Sequence, residues 1–272
     1  MTSTASSESR AELQVGLEAT LRSARDRGRK LLVPYVMGGM SEDWLQSLRS
    51  VAASGADAVE VGIPFSDPMI DGPVVQQAGK LALERGVTPD SILGDLARAD
   101  VGVPLIVMTY YNLVFRAGSR RFARRLSDAG VHGAIIPDLP LEEAGEWCEE
   151  ADDAGVATVL LVAPTTSEER AEKICDRSRG FVYGVGTMGV TGERDRLAAS
   201  ATELATRLKR HTDRPVCMGI GVSTPDQAAE LCATADGVVV GSALVRRLLD
   251  GEGPDGAATF VTRMRAGVDR AH

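Results

Sequence analysis

Short runs of apolar residues recur along the whole chain, and amphipathic segments separate them. The runs are continuous rather than alternating, which is typical of parallel strands buried on both faces. They occupy residues 31–37, 58–64, 104–110, 133–139, 157–164, 180–186, 215–221 and 237–243. The pattern therefore predicts eight strands, each followed by helical structure.

Capping residues and glycines predict where the intervening helices begin and end. We expect N-caps at three residues that precede acidic or amide side chains in a first turn: Ser41, Ser167 and Thr224. We expect three helices to end on glycines placed just before a strand: Gly55, Gly130 and Gly155. These signals repeat the order strand, helix, strand.

Eight such units in 272 residues favour an α/β fold of the (β/α)8 TIM-barrel type, which typically takes about 250 residues. A doubly wound open sheet has the same local pattern and is the alternative. An extra helix over 8–29 would precede the first strand, and 73–100 would hold two helical segments. We expect a disordered tail at 1–10 and a single TIM-barrel domain at 11–272.

Composition excludes several classes of function. The formal net charge is −8, and the basic residues form no stripe that would bind nucleic acid. No apolar run approaches the roughly 20 residues of a membrane span. The polar start has no apolar core for secretion, so we expect a cytoplasmic protein.

The four cysteines and three histidines are scattered and lack the spacing of metal ligands. We therefore expect reduced thiols and neither a metal nor a cofactor.

Residues 59–73, VEVGIPFSDPMIDGP, place a carboxylate in an apolar strand and two more in the following loop. A buried Glu60 costs stability unless its charge is paired or used. Glu60 and Asp71 could therefore form a general acid/base pair, since catalytic groups of a barrel lie after its strands. The alternative is a Glu paired with a basic neighbour, followed by aspartates that make turns.

Glycine-rich loops follow the last three predicted strands, at 183–192, 218–225 and 240–243. Glycines let backbone N–H groups approach an anion, and a helix N-terminus adds partial positive charge. This pattern favours a phosphorylated small substrate held by neutral backbone donors. None of the loops matches a Walker motif, so tight barrel turns are the alternative.

Several ordered motifs resemble the tryptophan synthase alpha chain family. The most specific are EVGIPFSDP at 60–68 and DGP at 71–73. Further matches are YNLVF at 111–115, DLP at 138–140, GVTG at 189–192 and Gly241-Ser242, so the resemblance covers most of the chain.

The resemblance implies retro-aldol cleavage of indole-3-glycerol phosphate to indole and glyceraldehyde 3-phosphate. Glu60 matches the family's proton shuttle, and Asp71 matches the acid that binds the ring N–H. The other matching positions are assigned to substrate binding: Tyr35, Tyr110, Tyr183, Thr191, Gly192, Gly221, Gly241 and Ser242. Met108, Ile135 and Ile220 would line the indole slot or pack in the barrel core, and Asp67 would shape its loop or contact a partner.

Two loops depart from the family pattern. Gly38-Gly39-Met40-Ser41 replaces a Gly-Asp-Pro turn after the first strand, and Gly186-Thr187 replaces a Ser that Arg often follows. Neither change affects Glu60 or Asp71, but both could alter loop closure and partner coupling.

The resemblance implies a beta chain partner in an α2β2 assembly that receives the indole. The alternatives are a stand-alone lyase that releases free indole and a non-catalytic regulatory subunit.

Overall fold

The predicted barrel is confirmed in a computed structural model that describes residues 16–186, 194–219 and 221–271. Within these residues eight parallel strands close into one barrel in sequence order. The strands are β1 Leu31–Met37, β2 Val59–Gly62, β3 Leu105–Met108, β4 Val131–Ile135, β5 Ala157–Val162, β6 Val182–Val185, β7 Val216–Gly219 and β8 Gly237–Val240. The pairing of β8 with β1 excludes the open sheet.

Helices surround the barrel. In the described ranges they are α1 Leu17–Asp26, α2 Trp44–Ala53, α3 Pro73–Glu84, α4 Pro89–Leu96, α5 Tyr111–Ala117, α6 Ser119–Asp128, α7 Gly145–Asp153, α8 Glu168–Arg177, α9 Arg194–His211, α10 Pro225–Cys232, α11 Ser242–Leu249 and α12 Gly253–Val268, with a 3₁₀ turn at Leu141–Glu143. None of these helices is long and apolar enough to cross a membrane.

Most of the helix boundaries predicted from caps and glycines are confirmed. Ser167 and Thr224 cap α8 and α10 through side-chain hydrogen bonds, and Thr224 forms a complete capping box with Gln227. The predicted cap at Ser41 is wrong, because α2 begins at Trp44 and the Ser41 hydroxyl instead bonds Asp43. The three predicted terminal glycines all have positive φ, a conformation that glycine adopts without steric cost.

The helix before the first strand closes one end of the barrel. Leu17 and Leu21 of α1 pack with the inward-facing residues of the strands. A Cβ on Gly133 or Gly180 would lie 2.7 Å from a Leu17 methyl carbon, so both glycines make room for this contact. The described part of the extra helix thus confirms the prediction, whereas the 1–10 tail lies outside the described residues.

The same end of the barrel contains two ion pairs with buried carboxylates. Asp57 Oδ2 accepts hydrogen bonds from the Leu32 backbone N–H at 2.8 Å and from Arg265 at 3.0 Å. Asp236 accepts from Lys209 at 2.7 Å and from the Val216 backbone N–H at 2.9 Å. Groups at the N-terminal face of such a barrel serve stability, which leaves the opposite face for chemistry.

Candidate active site

A cavity of about 440 Å³ opens at the carboxyl ends of the strands. It brings together residues from β1, β2, β6 and the loops after β2, β7 and β8. Of the sequence-predicted site residues, it is lined by Tyr35, Glu60, Asp71, Tyr183, Gly221, Gly241 and Ser242. Thr191, Gly192, Thr187 and Ile220 lie outside the described residues.

Glu60 points from β2 into the barrel, where its side chain is almost fully enclosed. Its residue is only 1% exposed, and in the described structure its Oε2 atom has no hydrogen-bond partner. Burial, followed by the negative charge of Asp71, raises the pKa of Glu60 to about 8. The carboxyl is therefore largely protonated at neutral pH but can lose its proton, as a group that both gives and accepts protons requires.

Asp71 faces the same cavity from the loop between β2 and α3. Burial raises the pKa of its carboxyl, and a hydrogen bond with the Tyr110 hydroxyl opposes that rise. The Tyr110 oxygen also accepts hydrogen bonds from the backbone N–H groups of Ile70, at 3.1 Å, and Asp71, at 3.2 Å. Asp71 is thus fixed through both its side chain and its backbone.

Tyr110 lies behind Asp71 rather than on the wall of the large cavity. It lines a small adjoining void of about 10 Å³ and stacks on Phe65 with ring centroids 5.2 Å apart. The structure therefore places this predicted substrate-binding residue where it supports the loop.

Two tyrosines, the buried Tyr35 and the half-buried Tyr183, lie close to Glu60. Burial raises the pKa of both phenols well above its usual range, and nearby carboxylates add to the effect. Both hydroxyls therefore stay protonated. Glycines on the neighbouring strands make room for the rings: a Cβ on Gly219 would lie 2.5 Å from Tyr183, and a Cβ on Gly62 would overlap the Tyr35 hydroxyl.

The opposite end of the cavity is built from backbone. Gly221, with φ of +75°, follows β7, while Gly241 and Ser242 begin α11. The N–H groups of a helix's first turn have no partner within the helix, and the helix dipole favours an anion there. In the described structure no Lys, Arg or His lines the cavity, so a phosphate would be held by these neutral donors.

Apolar side chains line the middle of the cavity. They include Val75, Met108, Pro137, Leu161, Val185 and Val239. Ile135, by contrast, is packed in the barrel interior. The apolar walls and the two acids suit a largely apolar ligand that carries a polar hydrogen.

Sequence reasoning assigned no site role to Ser223, Gln227 or Glu230 individually, and all three line the cavity. The Gln227 Oε1 atom accepts hydrogen bonds from the backbone N–H and hydroxyl of Ser223 and so fixes the loop after β7. The capping-box pattern at Thr224 could have indicated this, because it places Gln227 against the start of its own helix. In the described residues no cluster of His, Cys, Asp or Glu has the geometry of a metal site.

The two departing loops differ in how the described residues relate to the cavity. None of Gly38, Gly39, Met40 or Ser41 is among its described lining residues, whereas Gly186 is. Gly38 and Gly39 instead approach Ile92 and Val87 closely, so this loop packs against α4.

Comparisons with known proteins identify the family of the chain. The chain matches the family model described as "Tryptophan synthase alpha chain" over residues 21–269. It is 44% identical to the tryptophan synthase alpha chain of Streptomyces coelicolor over 89% of this chain and 90% of that protein. The corresponding protein of Thermobifida fusca is 42% identical over 94% of this chain and 98% of its own length.

Solved structures give the same result. A structure of Mycobacterium tuberculosis tryptophan synthase matches with a TM-score of 0.85 and 38% identity, covering 93% of this chain and 97% of that one. The Legionella pneumophila tryptophan synthase alpha chain matches with a TM-score of 0.83 and 31% identity, over 93% and 97% of the two chains. The chain belongs to the tryptophan synthase alpha chain family.

Proposed function

We propose that this chain is a carbon–carbon lyase that cleaves indole-3-glycerol phosphate to indole and glyceraldehyde 3-phosphate. The observation that carries the proposal is a buried Glu60, with its pKa near 8, facing Asp71 across one apolar cavity. Family membership supplies the reaction class, and this pair of acids supplies groups able to perform it.

Glu60 acts as the proton shuttle. Its protonated carboxyl donates to ring carbon C3, which converts the indole to its indolenine form with positive charge at nitrogen. Glu60, now a carboxylate, removes the proton from the substrate hydroxyl on the carbon bonded to C3. The carbon–carbon bond to C3 then breaks, its electron pair returns to the ring, and the hydroxyl carbon becomes the aldehyde.

Asp71 holds the ring N–H through this sequence. Its carboxylate stabilises the positive charge that forms on nitrogen, and the backbone contacts with Tyr110 keep it in place. Tyr183 stands beside Glu60 and helps to orient the ring. Thr191 and Gly192, which lie outside the described residues, are proposed on the family resemblance alone.

The phosphate is held by backbone N–H groups around Gly221, Gly241 and Ser242. The variant Ser242→Asp places a negative charge at the N-terminus of α11 and should raise the KM for the substrate by about 100-fold or more. Ser242→Ala is the matched control, since it keeps the backbone donors and should raise KM only a few-fold. Equal KM values for the two variants would exclude a phosphate at this helix.

A beta chain of tryptophan synthase is the proposed partner, in an α2β2 assembly that receives the indole. Exposed apolar residues on the loop after β2 and on α5 support this: Met69 is 91% exposed and Phe115 is 70% exposed. Tyr110 joins the two segments, since it precedes α5 and binds the loop backbone at Ile70. A partner seated here could therefore move Asp71.

Indole release with and without a beta chain tests the proposed function. We expect slow release by the isolated chain and acceleration by the partner, with Met69→Ser and Phe115→Ser reducing only the acceleration. Fast release by the isolated chain with no acceleration would indicate the stand-alone lyase instead. No release in either condition would contradict the proposal.

A further inference from the structure

Tyr35 carries a buried hydroxyl that the structure barely satisfies. The residue is 3% exposed, and its hydroxyl donates a long hydrogen bond to the Met37 Sδ atom, at 3.9 Å. A thioether is a weak acceptor, and a buried hydroxyl without a good partner costs about 1–3 kcal/mol. A phenylalanine would fill nearly the same space without this cost, which indicates that the hydroxyl has a function.

The position of the hydroxyl is defined by Gly62. A Cβ built on Gly62 would lie 1.9 Å from the Tyr35 oxygen, so the hydroxyl occupies the side-chain space of residue 62. Residues 60 and 62 of a strand share a face, and Tyr35 pairs in register with Glu60. The hydroxyl therefore lies beside Glu60, towards the loop that carries Asp71.

Tyr35, Asp71 and Tyr110 also meet around one void. All three line the same small space of about 10 Å³, and Tyr35 and Asp71 additionally line the large cavity. Tyr110 approaches Asp71 from the segment between β3 and α5, and Tyr35 approaches from β1. Asp71 thus lies near two phenols. The Tyr110 hydroxyl is bonded to the Asp71 loop, whereas in the described part of the chain the Tyr35 hydroxyl has only the contact with Met37.

We propose that Tyr35 is a positioning residue, whose hydroxyl turns from Met37 to donate a second hydrogen bond to the ionised Asp71 carboxylate. With Tyr110, it keeps that carboxylate ionised and aimed at the ring nitrogen of the substrate. Its role in the reaction rests on the proposed function, whereas its effect on Asp71 does not.

Charge determines which carboxyl group accepts a hydrogen bond from Tyr35. Glu60 is largely protonated at neutral pH, partly because of the negative charge of Asp71, and an O–H donor bonds an anion more strongly than a neutral carboxyl. After burial, the charge of Asp71 is the largest influence that raises the pKa of Tyr35. In the described structure, the titratable groups that line these two spaces with Asp71 are Tyr35, Glu60, Tyr110, Tyr183 and Glu230.

The test is Tyr35→Phe, with Tyr111→Phe as the matched control outside the cavity. The titration of Asp71 is followed by NMR of its side-chain carboxyl carbon, assigned with Asp71→Asn. Loss of a donor to the carboxylate should raise the Asp71 midpoint by about one pH unit. The control should leave it unchanged, and an unmoved midpoint in Tyr35→Phe would overturn the inference.

Kinetics provide the second readout. In Tyr35→Phe, the acidic limb of the pH profile of kcat/KM should move to higher pH. We also expect kcat to fall about ten-fold while KM stays nearly constant. An unmoved acidic limb with undiminished kcat would also count against Tyr35. Absence of indole release from the unmodified chain would instead contradict the proposed function, and the NMR result would still decide the contact with Asp71.

Discussion

At the residue scale, the central feature is a carboxyl that the fold keeps neutral. Sequence predicted that Glu60 lies in a strand and faces a cavity with Asp71, because a lone acid in an apolar run is costly. It could not predict whether the acid is paired. The structure answers this: among the described residues Glu60 Oε2 has no partner, and burial raises the pKa of Glu60 to about 8.

This raised pKa makes the stability of the protein depend on pH. Between the usual pKa of a glutamate, 4.5, and about 8, the unfolded chain has lost a proton that the folded chain retains. The contribution of Glu60 to folding is therefore fully present below pH 4.5 and is lost as the pH rises through about 8.

Glu60→Gln removes this dependence. The free energy of unfolding of the variant minus that of the unmodified chain should increase by a few kcal/mol from pH 5 to pH 9. Urea unfolding at the two pH values measures the difference, with Glu42→Gln as an exposed control. If the difference in unfolding free energy were the same at both pH values, Glu60 would not be neutral in the folded chain.

At the element scale, the short segments after the strands determine the site. Sequence located these loops well, because caps and glycines mark them, as at Thr224 and Gly155. It did not show that Tyr110 lies behind Asp71, since the direction of a side chain at a strand end depends on tertiary packing. The failed cap at Ser41 has a similar origin: the loop packs on α4 before α2 begins.

Gly219 illustrates how a strand can shape the cavity through the absence of a side chain. Gly219→Ala would place a methyl group 2.5 Å from the Tyr183 ring and push that ring towards the substrate. We expect kcat/KM to fall about ten-fold or more, by analogy with overpacking costs of 1–3 kcal/mol. Gly145→Ala is the control, because no atom lies within 4 Å of its Cβ position. Equal activity of the two variants would refute the proposed role of this contact.

At the scale of the whole molecule, the two ends of the barrel have separate tasks. The N-terminal end holds α1 and the ion pairs of Asp57 and Asp236, and the opposite end holds the acids and the glycine-rich loops. The eightfold pattern predicted this division, since a closed parallel barrel places every loop after a strand at one end. Long-range pairs such as Asp57 with Arg265 could not be predicted, because 208 positions separate the partners.

Asp57→Ala tests this separation. The substitution removes the acceptor of the Leu32 N–H and leaves Arg265 without its buried partner. The free energy of unfolding should therefore fall by about 3–5 kcal/mol. The kcat of the molecules that remain folded should be unchanged, measured below the unfolding temperature. A large fall in kcat at full helical content would show that the two ends are coupled.

The most direct test of the central claim is the release of indole from indole-3-glycerol phosphate by the unmodified chain, Glu60→Gln and Asp71→Asn, each saturated with a beta chain. A positioned acid–base group contributes about 10²–10⁴-fold, so each substitution should lower kcat by at least 100-fold while circular dichroism stays unchanged. Near-normal turnover by Glu60→Gln would contradict the account, because the buried carboxyl would then not be the group that moves the proton.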